Sequence, residues 1–336
     1  MKRLAIALAV LLSAASAAKA DPIADFYAGK TMRMLVGYGP GGGYDLYGRL
    51  VAEFLPKFLP GHPSIIPENM PGAGSFAAAK YIANVAPKDG TVLASLAQTF
   101  ALDSAVGGSG KTNAAEFHYV GRVTTNIDVG VARTSSGIKS IEDARSKQYT
   151  VGASGRGSTT DIYAEALNAY GGTKFKIVLG YKGTSEILLA MERGEIDITG
   201  AYGLPGMLAT HPDWVKGGAA LIYQAALKRS PVIPNVPTLP ELAQSDEGKA
   251  VLGAIASTAE IGRSIVSGPG VPAERLAALR GAFAQMVKDP AFIAACDKRH
   301  LMLDPASGAD MDTIVKHTFA LPQPTLTKIG AMLSSK

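Results

Sequence analysis

Seven residues near the start of the chain, Gly39-Pro40-Gly41-Gly42-Gly43-Tyr44-Asp45, have the composition of an anion-binding turn. Four glycines and a proline exclude regular helix or strand. Glycine lets backbone N–H groups turn outward, and a helix opening directly behind such a loop adds the positive end of its dipole. A carboxylate or phosphate is the natural guest of that arrangement, although a plain turn that binds nothing has the same composition. The design recurs twice, in Pro71-Gly72-Ala73-Gly74-Ser75 and in Ser154-Gly155-Arg156-Gly157-Ser158-Thr159-Thr160. Gln98 and Thr99 offer side-chain hydrogen bonds behind a further apolar run. Arg156 either pairs bidentately with a second carboxylate or faces water.

The elements that must position these loops are legible as alternating strand and helix. Residues 34–38 read as a buried strand. Leu46, Leu50 and Phe54, with Tyr47, Val51 and Leu55 one position on, form the apolar stripe of a helix over 46–58. Residues 64–69 and 91–96 are further strands, with a helix over 76–85 between them for which Ser75 is the expected N-cap. Strands follow at 119–123, 128–132, 149–153, 177–180, 195–199, 221–223 and 264–267, and helices at 138–147 and 185–193. Gly200-Ala201-Tyr202-Gly203 reads as a loop ending the strand before it. Pro231, Pro234, Pro237 and Pro240 punctuate a connector between domains. Pro272 and Asp289-Pro290 open two later helices, and Ser307-Gly308 opens a last one reaching towards Leu333. The class is α/β, and loops on neighbouring parallel strands converge at the carboxyl edge of a sheet, where such folds bind ligands.

Composition narrows the function. Met1-Lys2-Arg3, the apolar stretch from Leu4 to Leu12 and Ala18-Lys19-Ala20 form a secretory signal peptide over 1–20, cleaved near Ala20, which directs the chain to a periplasm. Subtracting the three leader cations from 33 Lys and Arg leaves 30 against 28 acids, about +2, with no basic run, so nucleic acid is not an expected partner. Cys296 is the single cysteine and lies in an apolar helical stretch, which predicts a buried structural thiol. Gly107 to Thr112 reads GGSGKT, and Ala24 to Thr31 makes a similar loose match. Neither has the strand before and helix after that a nucleotide loop needs. The histidines His62, His118, His211, His300 and His317 show no metal-ligand spacing. No nucleophile elbow or zinc-protease helix is present, so no catalytic residues, metal or cofactor are expected.

The run Gly39 to Asp45, followed by Arg49, resembles the first loop of the Bug-type (TctC-like) solute-binding proteins of tripartite tricarboxylate transporters. Three further segments are similar to that family: Glu68 to Gly74 with Ala86 to Gly90; Tyr181-Lys182-Gly183-Thr184; and Gly268 to Pro272 with Leu279-Arg280 and Lys288-Asp289-Pro290. The resemblance implies a two-lobed periplasmic binding protein of type II, each lobe a mixed sheet flanked by helices. One lobe would comprise 21–124 and 232–336, the other 125–231. It implies a receptor that captures a small carboxylate between the lobes and hands it to membrane permease subunits; a monomer is the default expectation for the chain. Carried onto this chain, the ligand-binding residues are Gly41, Gly42, Gly43, Tyr44, Asp45, Gly74, Ser75, Gln98 and Thr99 in the first lobe, and Gly157, Ser158, Thr159, Tyr202 and Gly203 in the second, with Arg156 as a candidate. Tyr44 and Asp161 depart from the family pattern, the first adding an aromatic and the second a negative charge. A ligand sensor for a membrane signalling protein, or an exported enzyme on the same fold, are the alternative readings.

Overall fold

The computed structural model describes residues 21–108 and 112–334. The leader read at 1–20, and Ser109 to Lys111 of the GGSGKT segment, lie outside the described residues. In chain order the strands are β1 (Thr31–Val36), β2 (Ser64–Asn69), β3 (Val92–Ser95), β4 (His118–Arg122), β5 (Asp128–Ala132), β6 (Tyr149–Ala153), β7 (Phe175–Leu179), β8 (Ile198–Gly203), β9 (Ala220–Ala225), β10 (Ser264–Ser267) and β11 (Ala306–Ser307). The helices are α1 (Pro22–Tyr27), α2 (Gly43–Phe54), α3 (Phe76–Asn84), α4 (Phe100–Ala105), α5 (Ile141–Ser146), α6 (Thr159–Tyr170), α7 (Thr184–Glu192), α8 (Leu204–Thr210), α9 (Asp246–Ala256), α10 (Ala273–Met286), α11 (Pro290–Lys298), α12 (Gly308–Phe319) and α13 (Gln323–Ser334).

Among the described residues these strands form two sheets, one per lobe. The first runs β11-β4-β10-β3-β1-β2 and the second β7-β6-β8-β5-β9. Both are mixed. β1 pairs in parallel with β2 and β3, while β10 runs antiparallel to β3 and β4. In the second sheet β6 is parallel to β7 and β8, and β5 is antiparallel to β8 and β9. The expected two-lobed α/β architecture is therefore the one observed.

Each sheet is covered on both faces, as strands with apolar side chains on both sides require. On the first sheet, Tyr47, Leu50 and Val51 of α2 pack with Phe283 of α10 and Phe292 of α11. The opposite face holds Phe76, Ile82, Phe100, Met311 and Val315. Gly48 of α2 is a glycine because a Cβ there would sit 2.9 Å from Val36. On the second sheet, α6 is buried from Thr159 to Leu167, since α9 and α13 enclose the side that the sheet does not. Cys296 is buried in the first core, and burial pushes its thiol up to about 11.

Three local expectations change. Residues 200–203 belong to β8, because Gly200 and Ala201 lie inside the buried ladder with Tyr202 and Gly203. The last helix is two helices, α12 and α13, separated at 320–322 by the turn around Pro322. Ser75 holds the N-cap position of α3 but makes no side-chain cap: it lies at φ 81°, and its hydroxyl turns away to accept from the Ala97 N–H at 2.9 Å. Residues 246–256 and 323–334, which the division at 231/232 places with the first lobe, pack against α6 of the second sheet.

Two segments, 123–126 and 259–263, carry the chain between the sheets side by side. Val123 N–H donates to Arg263 O (3.0 Å), Arg263 N–H to Thr124 O (2.9 Å) and Asn126 N–H to Ala259 O (3.0 Å). This two-stranded ribbon sets how the loops of one lobe meet those of the other.

Candidate functional site

The carboxyl ends of β1, β2 and β3 face those of β6, β7 and β8, and the loops meet directly. Gly39 N–H donates to Lys182 O at 2.8 Å, and Thr99 Oγ1 donates to Gly157 O at 2.9 Å. Gly74 lies against Ser158, where a Cβ would come within 2.6 Å of the serine Cβ, and Gly155 packs on Ala73 and Gly74. Ala73, Gly74 and Ser75 all have positive φ, at 46°, 62° and 81°. For the two non-glycines that costs about 1–3 kcal/mol each. The kink seats Gly74 on the second lobe and Ser75 on the Ala97 amide.

Loop by loop, the predicted residues separate into three clusters. Gly41, Gly42 and Gly43 border a cavity of about 350 Å³ that also meets Thr184, Ser185 and Tyr202. The Tyr202 hydroxyl turns to the end of α8, where it bonds Thr210 and lies 3.0 Å from His211 Nδ1. Gly74, Ser75, Thr99, Gly157, Ser158 and Thr159 form the second cluster. There Ser158 Oγ donates to Gly155 O at 2.6 Å and sits 2.9 Å from Thr160 Oγ1.

The third cluster is deepest. Tyr44 stacks on Tyr38, ring centroids 4.6 Å apart, and its hydroxyl oxygen accepts from the Gln98 N–H at 2.9 Å. Gln98 Nε2 reaches Asn126 O, Asp128 Oδ2 and Tyr163 OH at 3.2, 3.2 and 3.0 Å, while Asn126 Nδ2 donates back to Gln98 Oε1 at 2.8 Å. Gln98 is thus spent on joining the lobes at the ribbon. Burial pushes the Tyr44 phenol up to about 12, with the Arg263 charge opposing. Burial also raises the Asp128 carboxyl, again opposed by Arg263. Gly203 lies beside Asn126 and Arg263, and no Cβ fits there.

Two predicted residues work elsewhere. Asp45 accepts from the Gly41 N–H at 2.9 Å, from Arg49 Nε at 2.8 Å and from Asn69 Nδ2 at 2.8 Å. Burial alone would raise its carboxyl, but these bonds together hold it below the usual range. Arg156 pairs with Glu165 on its own lobe at 3.2 Å and is partly exposed. The cap on the first loop has counterparts. Gly157 N–H donates to Asp161 Oδ2 (2.9 Å) and Lys182 N–H to Glu186 Oε2 (2.5 Å). In each case an acid four residues on, in the first helical turn, closes the loop that precedes it. The helix termini facing the cleft therefore already carry negative charge from the chain itself.

Sequence reasoning missed Tyr38, Asn126, Asp128, Tyr163 and Arg263. A signal existed for two of them, Asp128 and Arg263: charged residues interrupting the apolar runs 127–132 and 261–267.

A family model described as the tripartite tricarboxylate transporter family receptor matches residues 48–330. A Cupriavidus necator protein described as "UPF0065 protein in gbd 5'region" is 29% identical over 254 residues, spanning 71% of this chain and 72% of that one. Among solved structures, MatC from Rhodopseudomonas palustris with bound malate is 19% identical, covers 90% of this chain and 99% of its own, and has a TM-score of 0.69. A second R. palustris protein, solved with adipate, is 21% identical over 90% of this chain and 97% of its own, with a TM-score of 0.67. At these identities the structural likeness carries the fold.

Proposed function

The chain belongs to the tripartite tricarboxylate transporter receptor family, and from that premise we propose that it is an exported receptor which closes its two lobes on a small carboxylate. It acts in the periplasm after losing residues 1–20, and delivers the ligand to the permease subunits of its transporter. The observation that supports this most is the apposition of loops across the lobes, with Gly39 bonded to Lys182 and Thr99 bonded to Gly157. Contacts of this kind form only when the lobes close, so a ligand that touches both sides shifts the balance towards closure. Gly41 to Tyr44, Gly74, Ser75, Thr99, Ser158, Thr159, Tyr202 and Gly203 border that junction and are the proposed ligand-facing set. The first lobe is proposed to comprise 21–123 with 263–319, and the second 127–256 with 323–334.

Malate and adipate are the first probes, since they are held by structural neighbours. The test is thermal unfolding of the mature chain with malate, succinate, adipate and benzoate, each in large excess. A ligand that binds only the folded form adds about 2.7 kcal/mol at a hundredfold excess over Kd. A selective upward shift with one acid, lost when Ser158 and Thr159 are both made bulky, supports the reading. A shift with sugars or amines and none with acids refutes it.

A further inference from the structure

We infer that Arg263 is the anchor for the ligand's carboxylate, an inference that rests on the receptor reading above. The helix termini at the cleft are already taken. Asp45, Asp161 and Glu186 already cap the loops before α2, α6 and α7. A second anion at any of these termini meets a carboxylate, and like charges at contact repel.

Arg263 offers the opposite situation. It is 4% exposed and donates one hydrogen bond, from Nη2 to Asn126 Oδ1 at 2.8 Å. Among the described residues its Nε and Nη1 meet no acceptor. A buried guanidinium with two idle nitrogens is costly unless something accepts from them. Nε and Nη1 lie on different edges of the guanidinium; Nη1, with the second hydrogen of Nη2 beside it, presents the end of the fork to a carboxylate, and Nε is left for one further acceptor. Asp128, the neighbouring acid, stands one amide away: Asn126 bridges the two, donating to Asp128 Oδ1 at 2.9 Å.

The position matches the task. The guanidinium lies at the end of the returning ribbon and touches both lobes. A Cβ on Gly43 would lie 2.9 Å from Nη2, and Gly203 of the second lobe is against the same nitrogen. Gly43 also borders the 350 Å³ cavity. The Tyr44 ring covers one face of the cation, 3.9 Å from Cζ to centroid, with Tyr38 stacked behind. The stacked rings fix the plane of the cation, and a bound anion there is held by groups that come together when the lobes close.

The test is calorimetric titration of the mature wild type, R263Q and R263K with malate, succinate, adipate and benzoate, and with the corresponding amides in which one carboxylate is removed. The wild type is expected to bind at least one acid and to weaken roughly 30-fold or more when the anchored carboxylate is amidated. R263Q is expected to weaken by a similar factor towards the acid and to lose nothing further towards the amide, with R263K between the two. Melting curves without ligand report folding. Should R263Q not fold, R263K and the amide series carry the test. Variants that bind the acid as tightly as the wild type overturn the anchor and leave the receptor standing. A wild type that binds none of the acids overturns both.

Discussion

Two arginines occupy neighbouring strands at the same depth and are treated in opposite ways. Arg122 ends β4, and Arg263 stands just before β10, one residue from Ser264, which pairs with Arg122. Their exposures are 7% and 4%. Arg122 has every edge of its guanidinium occupied: Nε donates to Asp304 O (3.2 Å), Nη1 to Glu260 O (2.6 Å) and Nη2 to the Asp304 carboxylate (3.0 Å). Arg263 has one bond and an aromatic ring. Buried polar groups held for stability are satisfied within the chain, so an unsatisfied one at a lobe junction marks a group held for something else. Arg122 fastens the 304 loop and the end of the ribbon to the first sheet. Arg263 is left for a partner that arrives.

The largest expected difference is in stability. R122M should lose about 2–3 kcal/mol in urea unfolding at pH 7, because two carbonyls and two acids lose their donor. R263M should change by less than about 1 kcal/mol, because it removes an under-bonded charge. Equal losses would break the comparison. Gly203→Ala sharpens it from the other side. The new Cβ is forced against Arg263 and Asn126 and should cost about 1–3 kcal/mol. Gly253→Ala in α9, where nothing lies within 4 Å, should gain about 0.4–1 kcal/mol by the same unfolding measurement.

A smaller effect lies in the pH dependence. Burial raises the folded pKa of Asp128, so the folded chain binds that proton more tightly than the unfolded chain. Its contribution is then fullest below about pH 4 and declines as pH rises through the folded pKa. D128N should flatten that decline in unfolding measured across acid pH, and R263M should carry it to higher pH because the opposing charge is gone. Asp45 runs the other way: its contribution is present above about pH 4 and is lost as pH falls through its lowered pKa. Smallest is Tyr44→Phe, which removes the acceptor for the Gln98 N–H while keeping the ring on Arg263. We expect a loss of about 1 kcal/mol or less in the same assay, and no change in acid binding beyond a few-fold.

Much of this fold can be read along the chain. Strands over 64–69, 128–132, 149–153 and 264–267 coincide with β2, β5, β6 and β10, because short apolar runs between glycine and proline turns leave few other choices. The strand running on through Gly200 to Gly203 was hidden, since two glycines in four residues imitate a loop. In the site, the glycines stood out but their reasons did not. Gly74 is small because of Ser158, and Gly203 because of Arg263, and each partner is distant in sequence. The acid caps had a local signal, an acid four residues after the first loop residue, yet an acid beside a glycine loop reads equally well as a ligand contact. Arg263 escaped because apolar periodicity treats a lone charge as noise.

The last two helices divide their loyalty: α12 buries Met311 and Val315 in the first core, and α13 buries Leu326, Ile329 and Met332 in the second, with three residues between them. The second core is therefore assembled from parts made at opposite ends of synthesis. Until residues 323–334 have been added, Ile162, Leu167 and Leu252 lack the helix that completes their packing. The chain cannot finish one lobe and then the other in order of translation.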